Sequence, residues 1–329
     1  MILIISSSED VSTDHVINWL HYHKKKFYRL NFFDILDAPH KNEVCYSLED
    51  NTLQINSQTI DLNDINSVWL RKLGSFKKSV FYKSCLGEIR QDILIQQTGE
   101  FNAFVMAIIK NINPNSYWIT HYGHRAQNKW NVLKKAAEAG LSIPKTFFTN
   151  TKKHLTAWRN HLPIINKPLN EPYFFTKGKN FFTMYTKEIA DKEMAYLPDN
   201  FFPSAIQNKI QKEYEIRTFF LDKKYYSMAI FSQNDQQTAV DFRNYNTTCP
   251  NRFIPYQLPR EVEKKLDVLM DSLNLNCGSI DMIKEKKGDY IFLEVNPNGQ
   301  FGMVDFPCNY NLHKIVAEKL IERDKISTS

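Results

Sequence analysis

Apolar and polar positions change period several times along the chain, and each change marks an element. Met1–Ile5 is a continuous apolar run, Ser6–Asp10 is a polar break, and Val16, Ile17, Trp19 and Leu20 recur at helical spacing. That order predicts strand, turn and helix, the opening of a parallel α/β layer. FYRLNFF fits a second strand, and SVWLRK fits another buried strand ending in a charged pair, where Arg71 could face a ligand or be solvated and the sequence leans to solvation. Between them, residues 43–61 alternate in short pieces around Asn56-Ser57, the pattern of a small hairpin. Residues 88–109 form a long amphipathic helix, and INPNSYW then marks a boundary, so a first domain is expected to close near Pro114.

From Gln127 the spacing of Trp130, Leu133, Ala136 and Ala137 predicts an amphipathic helix stopped at Gly140, followed by a strand after Pro144. PIINKPLNE is an apolar strand carrying Lys167 near its end. A snorkelling ammonium is the default for one such lysine, and a phosphate partner is the alternative. EIRTFFL and KYYSMAIF read as two strands joined through Asp222-Lys223-Lys224, with Glu215 and Arg217 on one face. Residues 261–273 and 312–323 are helical, and nothing repeats at a fixed period, which excludes solenoids.

The chemistry concentrates in CGSIDMIKEKKGDYIFLEVNPNGQFGM, residues 277–303. Two apolar, β-branched runs flank Lys-Lys-Gly-Asp, a hairpin closed around Lys287 and Gly288. That centre sets Asp281 opposite Glu294, with Asn296 projecting from the same face two residues on. Opposed carboxylates between apolar strands repel with little screening by water, and a cation resolves the conflict. Mg²⁺ suits three oxygen ligands with positions left for water and phosphate. A solvated acidic hairpin is the plainer reading of a lone Asp/Glu pair; the Asn-Pro-Asn-Gly-Gln turn that follows puts the metal ahead of it.

Composition narrows the class without choosing a reaction. At 329 residues and 43% hydrophobic content the chain has room for two or three domains with real cores. The net charge of +6 is mild and its lysines are scattered, which argues against a nucleic-acid stripe and suits anionic substrates such as a nucleotide or an acidic peptide. Five cysteines stand far apart with no CxxC pair, so a zinc site or disulfide framework is not expected, and a reducing, cytoplasmic setting fits. No stretch approaches the roughly 20 apolar residues of a membrane span. Ser6–Ser8 lack a GxGxxG context and read as an N-cap cluster, while His121 and His124 beside Arg125 read as a polar loop. Walker A and kinase HRD/DFG sets are absent from the sequence. Lysines on strands, a Glu/Arg strand and a carboxylate hairpin are together the inventory of phosphoryl transfer.

In this order the motifs resemble a known family. From about Gln127 onward the chain is similar to ATP-grasp ligases: NKWNVLKKAAEAGLSIPKT resembles their first helix and strand, INKPL their phosphate-lysine strand, IQNKI their adenine hinge, and DMI with FLEVNPNGQ their metal hairpin. EIRTFF, AIFSQ and DFR with LEVNPNGQF further resemble the graspetide (microviridin-type) maturases of ribosomally made peptides. ILIISSSEDVSTDHVINWL and SVWLRK look closest to the grasp-with-spasm branch. The resemblance implies an α/β chain, α+β in its C-terminal part, with the ATP-grasp fold. Its divisions would be an N-terminal Rossmann-like pre-ATP-grasp domain (1–115), a central subdomain carrying the leader-peptide site (116–204) and a C-terminal subdomain with the metal hairpin (205–329).

By the same resemblance Lys129 and Lys167 would hold ATP phosphates, Asn208, Lys209 and Ile210 would line the adenine hinge, and Glu215 would meet the ribose. Asp281, Glu294 and Asn296 would carry Mg²⁺, and Arg217 and Arg243 would face the transferring phosphoryl group or the substrate's acidic side chain. Asn208 stands where an acidic residue is common, and Gly178 is the only glycine in the segment after Lys167 that would cover the phosphates. The implied reaction activates an Asp or Glu side chain of a precursor peptide (leader plus acidic core) as an acyl phosphate. A Ser/Thr hydroxyl or Lys amine of the same peptide then closes an ester or amide ring. ATP-dependent addition of an amino acid to a peptide or small acid, and a nucleotide-binding scaffold without turnover, are the alternatives. No nucleic-acid or membrane partner is expected, and a homodimer stays open beside a monomer.

Overall fold

A computed structural model describes residues 1–32, 34, 43–74, 76, 79–85, 87, 90–169, 174–177, 180–183, 186–233, 248 and 250–326. The chain divides into two compact units. The first comprises Met1–Ala126, Leu275–Gly278 and Pro297–Ser329, and the second comprises Gln127–Asn274 and Ser279–Asn296.

The first unit is built on β1 (Ile2–Ile5), β2 (Phe27–Leu30), β3 (Val44–Ser47), β4 (Thr52–Ile55), β5 (Gln58–Asp61), β6 (Ser67–Leu70) and β7 (Tyr117–Ile119). Four of them form a parallel sheet ordered β2-β1-β6-β7, with Ile2 level with both Phe27 and Ser67. All four residues of β1 are fully buried, which is why its sequence is continuously apolar rather than alternating. Leu3, Ile5, Leu30, Val68, Leu70 and Ile108 lie in one core, the last contributed by the helix Gln91–Lys110. The segment read as one hairpin is a three-strand meander, β3-β4-β5, whose second turn is at Asn56 with φ of +53°.

Two sequence readings are corrected here. Arg71, expected in solvent, is 2% exposed. Its Nε lies 3.2 Å from Asp10 Oδ2, and its Nη1 donates to the Asn298 carbonyl at 2.6 Å. The loops that follow parallel strands fold over the strand ends, so a charged residue one step past β6 is enclosed. Ser6 does not cap the first helix; Asp10 occupies the N-cap, and the buried Ser6 hydroxyl bonds Thr13 Oγ1 at 2.8 Å.

The second unit holds β8 (Thr146–Thr151), β9 (Ile164–Lys167), β10 (Phe174–Lys177), β11 (Asn180–Thr183), β12 (Lys187–Glu188) and β13 (Asn200–Asn208). Its remaining strands are β14 (Lys212–Leu221), β15 (Lys224–Phe231), β16 (Arg252–Tyr256), β17 (Cys277–Glu285) and β18 (Tyr290–Asn296). One sheet is ordered β12-β9-β13-β8 and another β16-β15-β14-β17-β18, with β10 and β11 paired separately. Asp222 and Lys223 link β14 to β15 with φ of +45° and +65°, a two-residue reversal whose twist matches that of the strands it joins. The helix Lys129–Glu138 packs on β18 and on the helix Arg260–Ser272, and Phe292 N donates to the Ser142 carbonyl at 2.8 Å. These contacts brace the hairpin from behind.

Candidate functional site

The β17–β18 hairpin sets the site. Lys284 pairs with Tyr290, Ile283 with Ile291 and Met282 with Phe292, but Asp281 pairs with Glu294, so Leu293 is an extra residue on β18. Such a bulge bends its strand and disrupts the strict alternation of faces. Leu293 and Glu294 accordingly both line one cavity, together with Asp281 from the facing strand. The reversal itself is longer than a two-residue turn centred on Lys287 and Gly288. It spans Glu285 to Asp289, closed by Glu285 N donating to the Asp289 carbonyl at 2.8 Å, with Gly288 at φ of +101°.

Beside the hairpin, β14 supplies Glu215 and Arg217, both buried. Arg217 Nη1 stands 3.3 Å from Asp281 Oδ2, while its Nε is shielded and meets no hydrogen-bond partner among the described residues. Glu215 Oε1 is bonded by the ammonium of Lys212, and the Ser232 hydroxyl donates to the same oxygen at 3.5 Å. Lys212 is the functional candidate that sequence reading missed. Residues three apart on a strand face opposite ways, so the Lys212/Glu215 spacing gives no warning. Lys212 reaches Glu215 because it is the first residue of β14, just past the Asn208–Gln211 connection.

That connection is the expected hinge. Its backbone is partly committed: Asn208 N donates to the Lys145 carbonyl at 3.1 Å and Lys209 N to the Pro163 carbonyl at 2.7 Å. The Lys209 ammonium pairs with Glu188 at 2.6 Å, while Asn208 Oδ1 is shielded with no hydrogen-bond partner among the described residues.

One cavity of about 90 Å³ therefore gathers Lys167, Asn208, Lys209, Ile210, Glu215, Arg217, Asp281 and Glu294, eight of the residues singled out in the sequence. Lys129 is not on its wall; the Lys129 ammonium bonds the carbonyl of Pro168, the residue after Lys167, and lies 5.1 Å from the Trp130 ring. Asn296, also off the wall, pairs with Ser279 at the far end of the hairpin. Arg243 and Gly178 lie outside the described residues.

The donor set fits a hard divalent ion. Two carboxylates are held level across the strands and a guanidinium now stands against one of them as the local counter-charge. A cation held by this carboxylate pair would keep positions for phosphate and water, the habit of Mg²⁺ rather than of zinc. A nucleotide needs more than the present cavity, since pockets for such ligands run to about 300–1,000 Å³. The cavity walls carry the Lys212–Glu215 and Arg217–Asp281 pairs, whose charged groups match anionic phosphates and ribose hydroxyls.

No family model matches the chain, and no curated protein matches it in sequence. Among the described residues no helix is long and apolar enough to cross a membrane. Solved structures match it over nearly its whole length. The macrocyclase MdnC of Microcystis aeruginosa MRC, bound with its precursor peptide MdnA, is 24% identical with a TM-score of 0.79, covering 98% of this chain and 99% of that one. A RiPP-associated ATP-grasp ligase of Chryseobacterium gregarium, in complex with ADP and a leader and core peptide, is 22% identical with a TM-score of 0.82, covering 98% and 96%. The ATP-grasp ligase PsnB, complexed with a phosphomimetic variant of its minimal precursor, Mg and ADP, is 16% identical with a TM-score of 0.78, covering 98% of each chain. The chain has the fold of the ATP-grasp ligases.

Proposed function

We propose that the chain is an ATP-dependent peptide ligase, a macrocyclase that joins Asp or Glu side chains of a ribosomally made precursor peptide to Ser/Thr hydroxyls or Lys amines. The observation that carries the reading is the level pairing of Asp281 with Glu294 on a cavity wall shared with Lys167, Arg217 and the hinge Asn208–Ile210. Such a wall meets a metal–triphosphate with both of the charges it requires. The fold shared with peptide-bound ATP-grasp ligases supports the choice of acceptor.

On this reading ATP, bound with Mg²⁺, would supply the phosphoryl group that turns a peptide carboxylate into an acyl phosphate, with ADP leaving, and attack by the peptide's hydroxyl or amine would then release inorganic phosphate as the ring closes. Asp281, Glu294 and Asn296 would hold the metal. Lys167 would bind phosphate oxygens, with Lys129 closing from the Pro168 side. Asn208, Lys209 and Ile210 would line the base, and Glu215 would accept the ribose hydroxyls in place of the Lys212 ammonium. Arg217, with Arg243, would orient the acidic side chain and balance charge on its oxygens, a preorganised electrostatic role. No side chain of the enzyme needs to become covalently attached. The segment 116–204 would carry the leader of the precursor.

Incubation with ATP, Mg²⁺ and an acidic, Thr-containing precursor peptide tests the reading by mass. Loss of one water per ring, with matching ADP release, is expected. Gain of a residue mass assigns the chain to amino-acid addition instead, and absence of peptide-dependent ADP release with any acidic peptide refutes the ligase reading.

A further inference from the structure

The first unit contains a second recess, of about 930 Å³, inside the range of about 300–1,000 Å³ common to ligand pockets. Its walls are the segments leaving the C-terminal ends of the parallel strands: Ser7 and Ser8 after β1, Lys72 and Gly74 after β6, Tyr122 and Arg125 after β7. The chain passes from β1 to β2 on one side and returns to β6 on the other, so the recess opens where the winding of the sheet reverses. At that point successive connections diverge and leave a crevice, the usual ligand position of open α/β sheets.

Charge in the recess is unevenly matched. Asp10 lies 3.2 Å from Arg71 and 3.3 Å from Lys72. Among the described residues Arg125 has no such neighbour: its Nε donates to Asn298 Oδ1 at 3.1 Å and its Nη2 to the Arg71 carbonyl at 3.0 Å, both neutral oxygens. Its Nη1 is shielded from solvent and has no hydrogen-bond partner among them. Burial, with the nearby charge of Arg71 adding to it, lowers the Arg125 pKa to about 10, which leaves the group charged at neutral pH. A desolvated cation bonded only to neutral groups is costly without a counter-charge, and a planar guanidinium matches a carboxylate in particular.

We propose that this recess binds an acidic peptide segment through its carboxylate, with Arg125 as the group that reads the carboxylate and Lys72 as the second cation. Glu9 and Asp34 line the same recess. They disfavour a polyanion such as a free nucleotide and suit a hydroxyl or ammonium beside the acid in the same peptide. The choice of a peptide rests on the ligase reading above; the demand for an anion rests on Arg125 alone.

The test is fluorescence anisotropy, without nucleotide or Mg²⁺, of a fluorescein-labelled peptide of alternating Thr and Glu against its Thr and Gln counterpart. The wild-type chain should prefer the Glu peptide at least tenfold, and Arg125→Gln should bring that preference below twofold. Ser8→Trp, which fills the recess from an exposed position, should weaken binding without lowering the melting temperature, and remains informative if Arg125→Gln does not fold. A Glu preference that survives both Arg125→Gln and Ser8→Trp overturns the proposal. So does a wild-type chain that ignores both peptides, whereas failure of the ligase reading would show separately, as absent ring closure with peptide binding intact.

Discussion

The Lys212–Glu215 pair allows a quantitative test of how the cavity is held together. The two side chains are only 5% and 10% exposed, so little water reaches either charge. Breaking a buried pair by removing one partner costs about 3–5 kcal/mol, whereas replacing both by uncharged side chains of similar volume is often close to neutral. Lys212→Met and Glu215→Gln should therefore each destabilise by about 3 kcal/mol, and the double variant by about 1 kcal/mol or less. At about 2–4 °C per kcal/mol for a unit of this length, each single variant should melt roughly 6–12 °C lower, with most of the loss recovered in the double. Urea unfolding of all four proteins closes the cycle and gives the coupling directly. Single effects that simply add would show that the pair is not electrostatically coupled, and the account of Lys212 and Glu215 as a mutually neutralised pair on the cavity wall would have to be abandoned.

Other outcomes follow from the same geometry. Glu294→Gln and Asp281→Asn should each reduce peptide-dependent ADP release by roughly two orders of magnitude or more while the circular dichroism spectrum is unchanged, because one opposed carboxylate is lost from the pair proposed to hold the metal; retained turnover counts against the site. Arg71→Met should cost the first unit about 3 kcal/mol, since it removes the buried guanidinium that shares Asp10 with Lys72 and donates to the Asn298 carbonyl, and Arg71→Lys should not restore the loss because a single ammonium cannot span both; full recovery by lysine in a melting experiment would contradict this. Burial, reinforced by Asp305, pushes the Cys308 thiol up to about 11. Iodoacetamide at pH 8 should thus modify the exposed Cys45 and spare Cys308, with Cys308 becoming reactive only as the pH nears 11; mass mapping of early labelling at pH 8 decides it.

Much of this was legible in the residues, and the failures share a cause. Uniform apolar runs such as Met1–Ile5 announce a strand covered on both faces, and the eight cavity residues were all identifiable because charged groups on apolar strands stand out against their neighbours. The reading failed where a side chain's environment is set by segments distant in sequence. Arg71 was placed in solvent although its partners Asp10 and Asn298 come from either end of the chain. Lys212 escaped notice because strand periodicity separates it from Glu215, and only the bend between β13 and β14 brings them together. The Asp281/Glu294 pairing was read correctly from a two-residue turn that the chain does not make. The longer reversal shifts the strands by one residue, and Leu293 shifts them back.

That compensation separates two things a plain hairpin would tie together. Were the ladder regular from Lys284–Tyr290 onward, Asp281 would oppose Leu293, and Glu294 would lie against Ile280 with its carboxylate aimed at the opposite side. With the surplus residue placed between them, the tip from Glu285 to Asp289 can obey its own backbone preferences while the acidic pair keeps its alignment. The tip is consequently the part of this hairpin that can be rebuilt, or made to carry a graft, without disturbing the carboxylates behind it.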